Sequence, residues 1–173
     1  MRFFRPTWYE LSLKQVNFDA LKEMGVETIL CDLDNTLTAY YEKVPSKAVA
    51  KLVQKIQKKG FKLIIISNNH LDRVSIFCES LKLPYLSSAH KPFINNAKNY
   101  LITNNIDFKK CVIIGDQLIT DVMFANSLGI RSILVEPVAD SDLPVTRINR
   151  AIDKAIRNNN LRRNKYKKLG EKK

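Results

Sequence analysis

Short apolar runs that alternate with helix-patterned stretches constrain this chain more than any other feature. Thr28 to Leu33 (TILCDL), Phe61 to Ile66 (FKLIII), Cys111 to Ile114 (CVII) and Ser132 to Val135 (SILV) are nearly continuous apolar segments of strand length. A strand reads this way when both faces of its sheet are covered. Pro84 to Leu86 reads as a further short strand. Between them, Val49, Leu52, Val53 and Ile56 form a helical stripe opened by Pro45-Ser46 and ended at Gly60. Val74, Phe77, Cys78 and Leu81 form a second, starting at Asp72, and Ile94, Ala97 and Leu101 a third, with Pro92 in its first turn. Asp121 to Leu128 is a fourth helix, stopped by Gly129, and a last one is predicted from about Thr146 to about Asn158. Asn17 to Met24 reads as a short N-capped helix ahead of the first strand. Repeated strand–helix–strand units with short links imply an α/β fold with a parallel sheet between two helical layers. Ligands in such folds bind beyond the carboxyl ends of the strands.

With 173 residues the chain is expected to form one domain, residues 1–160, followed by a basic tail, residues 161–173. No apolar run approaches the roughly 20 residues of a bilayer span. Arg2 and Arg5 are followed by no apolar core of a secretory signal. Cys31, Cys78 and Cys111 share no metal-ligand spacing and read as buried free thiols, which suits a reducing cytoplasm. The net charge is +12, and eleven Lys or Arg against Asp153 and Glu171 place +9 of it in residues 147–173. Such an arm suits an anionic partner, either an anionic membrane or RNA, and otherwise serves solubility.

Four fragments at strand ends carry chemistry. The first run ends in Asp32-Leu33-Asp34-Asn35-Thr36-Leu37, two carboxylates two residues apart. Asp34-Asn35 are ordinary turn formers, but Asp32 directly follows apolar residues, where an unpaired carboxylate is costly and a metal ion would relieve the cost. The second run ends in Ser67-Asn68-Asn69, which supplies hydroxyl, amide and backbone donors. Lys91-Pro92 precedes a helix, where an ammonium beside the N-terminus favours anions. The fourth apolar run in chain order, Cys111 to Ile114, ends in Gly115-Asp116-Gln117-Leu118-Ile119-Thr120-Asp121. There Gly115 permits a tight exit, and Asp116 and Asp121 offer hard oxygen ligands suited to Mg²⁺. Each fragment alone is weak. All four in order, each at or just beyond the end of a predicted strand, are not.

That ordered set resembles the haloacid dehalogenase (HAD) superfamily. More closely, with the lead-in Arg5 to Leu30, it is similar to the YqeG-like subfamily of HAD subclass IIIA and to mitochondrial-type phosphatidylglycerophosphate phosphatases. The resemblance implies a Rossmann-like three-layer sandwich and a Mg²⁺-dependent phosphatase. In it Asp32 is the nucleophile and Asp34 the general acid/base, while Ser67, Asn68 and Lys91 hold the phosphoryl group. Mg²⁺ would take a carboxylate oxygen of Asp32, the backbone carbonyl of Asp34 and a carboxylate oxygen of Asp116, with Thr36, Gly115 and Asp121 in support. Only 30 residues separate Thr36 from Ser67, which one helix and one strand fill, so the enzyme is expected to be capless and its site open.

The resemblance further implies removal of the terminal phosphate of phosphatidylglycerophosphate, a step of phospholipid biosynthesis. The protein is then expected in the cytoplasm and peripherally at the inner face of the membrane, held by its basic tail. The alternatives are a capless phosphatase for a soluble sugar phosphate, a nucleotide or a nucleic-acid end, and an RNA-associated protein with vestigial activity. The complete acidic set speaks against the last. Of the N-terminal aromatics, Phe3 and Phe4 are expected at a membrane interface, and Trp8 and Tyr9 packed beneath the sheet or against the last helix. His70 and His90 read as exposed loop residues.

Overall fold

The computed structural model describes residues 3–139, 147–162 and 166–170. Its elements in chain order are β1 (Trp8–Glu10), α1 (Phe18–Glu23), β2 (Thr28–Cys31), α2 (Lys47–Lys58), β3 (Lys62–Ile66), α3 (Leu71–Ser80), β4 (Tyr85–Leu86), α4 (Asn95–Thr103), β5 (Cys111–Gly115), α5 (Met123–Leu128), β6 (Arg131–Val135) and α6 (Arg147–Arg162). The six strands form one sheet in the order β1-β6-β5-β2-β3-β4, and every pairing is parallel.

The period-two alternation of each strand sorts its side chains onto two cores. Ile29, Cys31, Leu63, Ile65, Val112 and Ile114 pack with Leu21 of α1, Val53 and Ile56 of α2, and Val74 and Phe77 of α3. Leu30, Ile64, Ile66, Cys111 and Ile113 point the other way, toward Ala97 and Leu101 of α4 and Phe124 and Ala125 of α5. On that same face Tyr9 and Leu134 pack with Leu118, Val122 and Ile156 of α6. Both faces are therefore covered, which is why these strands read as continuous apolar runs. The predicted caps form where expected: Ser46 Oγ accepts from the Val49 N–H, Asn17 Oδ1 accepts from the Ala20 N–H, and Gly60 leaves α2 at φ +83°. All three cysteines are buried and free.

The structure departs from the sequence reading in four places. β1 is an additional edge strand beside β6, with Tyr9 opposite Leu134. Pro92 is not in the first turn of a helix: the Lys91–Pro92 bond is cis, the Phe93 N–H returns to the His90 carbonyl, and α4 starts only at Asn95. Asp121 does not open α5 but lies within a π-helical turn, Leu118–Val122, that leads into it. Phe4, expected at an interface with Phe3, is half-buried against the Tyr9–Leu134 cluster, whereas Phe3 is exposed. Tyr9 packs inward as expected, stacking on Tyr166 with ring centroids 5.0 Å apart.

Candidate active site

The sheet order reverses at β2: β3 and β4 follow on one side, and β5 and β6 on the other. A crevice forms at the carboxyl edge of such a switch point. Strand register then fixes which residues meet there. Cys31 lies opposite both Ile114 and Ile65, so Asp32 emerges beside Gly115-Asp116 on one side and Ser67 on the other. The Asp32 N–H still donates to the Ile114 carbonyl at 2.9 Å. Beyond it the chain makes one tight turn, with the Leu37 and Thr38 N–H groups both on the Leu33 carbonyl and Asn35 at φ +63°.

Within that crevice, carboxylate oxygens of Asp32, Asp116 and Asp121 lie within 4.8 Å of one another, and all three residues are buried. Lys91 Nζ donates to Asp32 Oδ1 and to Asp121 Oδ1, each at 2.7 Å. Thr36 Oγ1 lies 3.1 Å from Asp32 Oδ2 and 3.2 Å from Asp116 Oδ1, bridging β2 to β5. Asp121 Oδ2 accepts the Gln117 N–H at 3.1 Å, which pulls the carboxylate back across Gly115. A Cβ at Gly115 would fall 2.2 Å from Asp121 Cγ, so only glycine permits the approach.

Two of the three buried carboxylates, Asp32 and Asp121, share the Lys91 ammonium. Burial pushes the Asp32 carboxyl up to about 8, Lys91 pulls it down, and Asp121 and Asp116 raise it again. Burial works against the Lys91 ammonium, yet the Asp121 and Asp32 carboxylates outweigh it and hold the group above its ordinary range. Carboxylates this close repel one another, which is why Asp121 and Asp116 raise Asp32. A hard divalent cation suits such a group of oxygens, and these could hold one.

Asp34 stands outside the triad. Its carboxylate is gripped by Arg73 Nη2 at 2.9 Å and Asn69 Nδ2 at 3.1 Å, both from the segment after β3. Asn68 faces elsewhere: its amide donates to the Lys91 carbonyl at 2.8 Å and accepts the Lys91 N–H at 2.7 Å. Its side chain therefore sets the Lys91 backbone, leaving its main-chain N–H as its means of meeting an anion. Ser67 is buried, with its Oγ accepting the Asn69 N–H at 3.1 Å. His70 and His90 are exposed, and His90 Nδ1 contacts Asn96.

A layer beneath the triad comes from α6, and the sequence reading missed it. Arg157, 6% exposed, donates to the Asp116 carbonyl at 2.5 Å and the Val135 carbonyl at 3.0 Å, and pairs with Glu136 at 2.8 Å. Glu136 also accepts the Tyr9 hydroxyl at 2.5 Å. One turn earlier, Asp153 Oδ2 accepts the Leu118 N–H at 2.6 Å. Burial raises the Asp153 carboxyl to about 6 against the lowering pull of that N–H and of Arg157. A signal was present: Asp153 is the single acid between residues 147 and 170, four residues before Arg157. Arg73 carried no such mark.

Two cavities flank the sheet edges. One of about 480 Å³ opens at the amino edge, among Thr28, Lys62 and Lys110, and touches none of these groups. One of about 430 Å³ opens at the carboxyl edge and reaches Thr36. The second shares Thr36 with the site, but neither is lined by Asp32, Asp34, Ser67, Lys91, Asp116 or Asp121.

A family profile described as HAD-hydrolase-like matches residues 86–142. The chain is 38% identical over 157 residues to the probable phosphatase YqeG of Bacillus subtilis (strain 168), covering 90% of each protein. Among solved structures, it is similar to an uncharacterized protein from Listeria monocytogenes serotype 4b, at 18% identity and TM-score 0.55, over 69% of this chain and 85% of that one. The cobalt-bound deoxy-D-mannose-octulosonate 8-phosphate phosphatase of Haemophilus influenzae is similar at 12% identity and TM-score 0.53, over 74% and 76% respectively. At these identities the two structures speak for the fold alone.

Proposed function

Because the chain belongs to the family of HAD-like hydrolases that includes YqeG, we propose that it is a Mg²⁺-dependent phosphatase acting through a phosphoryl group carried on Asp32. The observation that carries this reading is the Asp32 carboxylate itself. It lies at the crevice floor with Oδ1 on Lys91 and Oδ2 on Thr36, and its two acidic neighbours are close enough to share a cation. Bound there by Asp32, Asp116 and the Asp34 carbonyl, Mg²⁺ would offset the charge of the nucleophile and of the incoming phosphate.

The chain's own groups then divide the work. Lys91 and Thr36 fix both oxygens of Asp32, so the carboxylate is oriented before substrate arrives. An ammonium has three donors and the two carboxylates take two, which leaves the third for a phosphoryl oxygen. The Ser67 hydroxyl and the Asn68 main-chain N–H supply further donors. Asp32 attacks phosphorus in line and the phosphorus–oxygen bond to the leaving group breaks. Asp34, held by Arg73 and Asn69, gives its proton to the leaving oxygen and then takes one from the water that releases phosphate.

For the substrate we propose phosphatidylglycerophosphate. Three features support it: the likeness of the motifs and lead-in to lipid phosphate phosphatases, a crevice that no inserted domain covers between β2 and β4, and the basic character of the chain. No helix of the described residues is long and apolar enough to cross a membrane, so such a substrate would be met at a surface. The test is Mg²⁺-dependent phosphate release from detergent-dispersed phosphatidylglycerophosphate, compared with a panel of sugar phosphates, nucleotides and 5′-phosphorylated oligonucleotides. Preference for a member of that panel overturns the lipid assignment. Asp32→Asn should lose turnover of every substrate while unfolding at the wild-type temperature. Activity within about tenfold of wild type overturns the nucleophile assignment.

A further inference from the structure

Every strand of the sheet runs the same way, so six exit segments meet at the edge where Asp32 lies. Five of them carry a large apolar side chain that is more than half exposed: Leu11 after β1, Tyr41 and Val44 after β2, Leu71 after β3, Phe93 after β4 and Val138 after β6. Of the ten large apolar residues exposed among the described residues, these six lie on this one edge. The exit of β5 is the exception, because its π-helical turn is drawn inward by Asp153. Scattered exposed apolar residues are ordinary, but a ring of them around a catalytic mouth is not.

Their setting identifies what they meet. Among the described residues, the exposed Lys and Asp/Glu side chains of this edge are Lys14, Lys43 and Lys47 against Asp72, while the partly exposed Glu42 and Glu136 are engaged by Thr38 and Arg157. Apolar tips interleaved with lysines suit the interface of an anionic bilayer, where Tyr and Phe rings lie at headgroup depth and lysines face lipid phosphates. A cavity of about 430 Å³ opens on this rim beside Leu11 and Val138 and shares Thr36, which hydrogen-bonds Asp32, with the site. The Val138 N–H, bonded to the Asn35 carbonyl at 2.8 Å, ties the rim to the turn that carries Asp34.

We propose that this edge is a docking surface for anionic lipid bilayers, seating the crevice mouth on the membrane. The proposal rests on the lipid reading of the site and adds to it the surface and the orientation. The crevice faces the headgroups, so a phosphomonoester reaches Asp32 without leaving the bilayer.

The test is co-sedimentation of the full chain with phosphatidylcholine vesicles, with and without about one third phosphatidylglycerol. The variants are Leu11→Ser/Tyr41→Ser/Val44→Ser and, separately, Lys43→Ser/Lys47→Ser. All five side chains are exposed, and thermal unfolding checks that the fold is kept. Wild type should bind the anionic vesicles, and each variant should bind them about tenfold less or worse. Turnover of a soluble aryl phosphate and of detergent-dispersed lipid should stay unchanged, while turnover of vesicle-borne lipid falls. Three results overturn the proposal: wild type ignores anionic vesicles, the triple variant binds as wild type does, or binding follows Lys167→Ser/Lys168→Ser instead. Wild-type dimers that the triple variant abolishes would overturn it too, since the rim would then face a second copy. If wild type fails to hydrolyse detergent-dispersed phosphatidylglycerophosphate while rim-dependent vesicle binding persists, the substrate assignment falls and the docking surface stands.

Discussion

Replacing Arg157 by Met removes the guanidinium while keeping most of the side-chain volume, and it should disturb both stability and the site. In the folded protein that group supplies the Asp116 and Val135 carbonyls with donors at 2.5 and 3.0 Å and pairs with Glu136 at 2.8 Å. A buried carbonyl that loses its donor costs about 1–3 kcal/mol. The Glu136 pair contributes less than a fully buried one, because Glu136 is 35% exposed and screened by water. One group serves all three partners, so the losses do not simply add. A destabilisation of about 3–5 kcal/mol is expected, large against a total of roughly 5–15 kcal/mol but survivable. Urea unfolding measures it. Asp116 would also lose the bond that fixes its backbone. Well below the unfolding temperature, the Mg²⁺ concentration for half-maximal turnover should therefore rise about tenfold or more. Arg157→Lys keeps the charge but not the fork, and should fall between Met and wild type. A Met variant within about 1 kcal/mol of wild type and with unchanged Mg²⁺ dependence would falsify the idea that α6 holds the site together.

Asp34→Asn should slow alkyl phosphates by about 10²–10⁴ but aryl phosphates far less, because an activated leaving group hardly needs a proton. Equal losses on both, measured by initial rates, would remove Asp34 from the acid role. Gly115→Ala would drive a Cβ into Asp121, 2.2 Å from Cγ, and the displaced carboxylate should cost about 10² in turnover; near-normal rates would show that Asp121 need not lie where it does. Asp153 gives a pH signature. Its folded value of about 6 lies above an unfolded value near 3.9, so between those limits the folded state binds more protons and stability falls as pH rises. Asp153→Asn keeps an acceptor for the Leu118 N–H without the titration, and should therefore gain on wild type by up to about 3 kcal/mol from pH 4 to 6.5. A pH-independent difference in urea midpoints would contradict this.

The sheet was legible because its central strands are covered on both faces, which leaves a local mark on each apolar run. β1 left none. Its three residues include Glu10, which is buried at 8% exposure because its carboxylate accepts the Leu169 N–H from the far end of the chain. The carboxylates were legible for a related reason: Asp32 and Asp116 stand where apolar runs stop, and register alone makes them neighbours. The start of α4 was misjudged because proline usually begins a helix. Here the Lys91 backbone is held by Asn68 and its ammonium reaches two carboxylates, so the chain must complete a turn before it can coil. Arg73 and Arg157 were hidden because their partners are 39 and 41 residues away. Nothing in a window around Arg73 distinguishes it from a solvated surface arginine, and around Arg157 only Asp153, four residues earlier, does.

That last point changes what the basic end of the chain can be. As a charge count, residues 147–173 carry +9 and resemble a detachable arm. In the folded protein, Arg157 lies inside and is matched by Glu136, and Asp153 is buried beside it. Further on, the Lys167 carbonyl accepts the Tyr9 N–H at 2.8 Å, Tyr166 stacks on Tyr9, and Leu169 enters the main core at 6% exposure. Residues 166–169 thus continue the packing of β1 and do not leave it. Removing them would strip the outer side of the strand whose Tyr9 and Glu136 contacts lead back to Arg157 and Asp116. Lost membrane binding in a truncated chain would therefore report a damaged site as readily as a missing charge. Charge substitution at the exposed Lys154, Lys167 and Lys168 separates the two causes, because it leaves Arg157, Tyr166 and Leu169 in place. With docking through the carboxyl-edge rim, their replacement should leave vesicle binding and the urea midpoint where they were; a loss of roughly 1 kcal/mol of binding per lysine would instead place the membrane contact at the basic end.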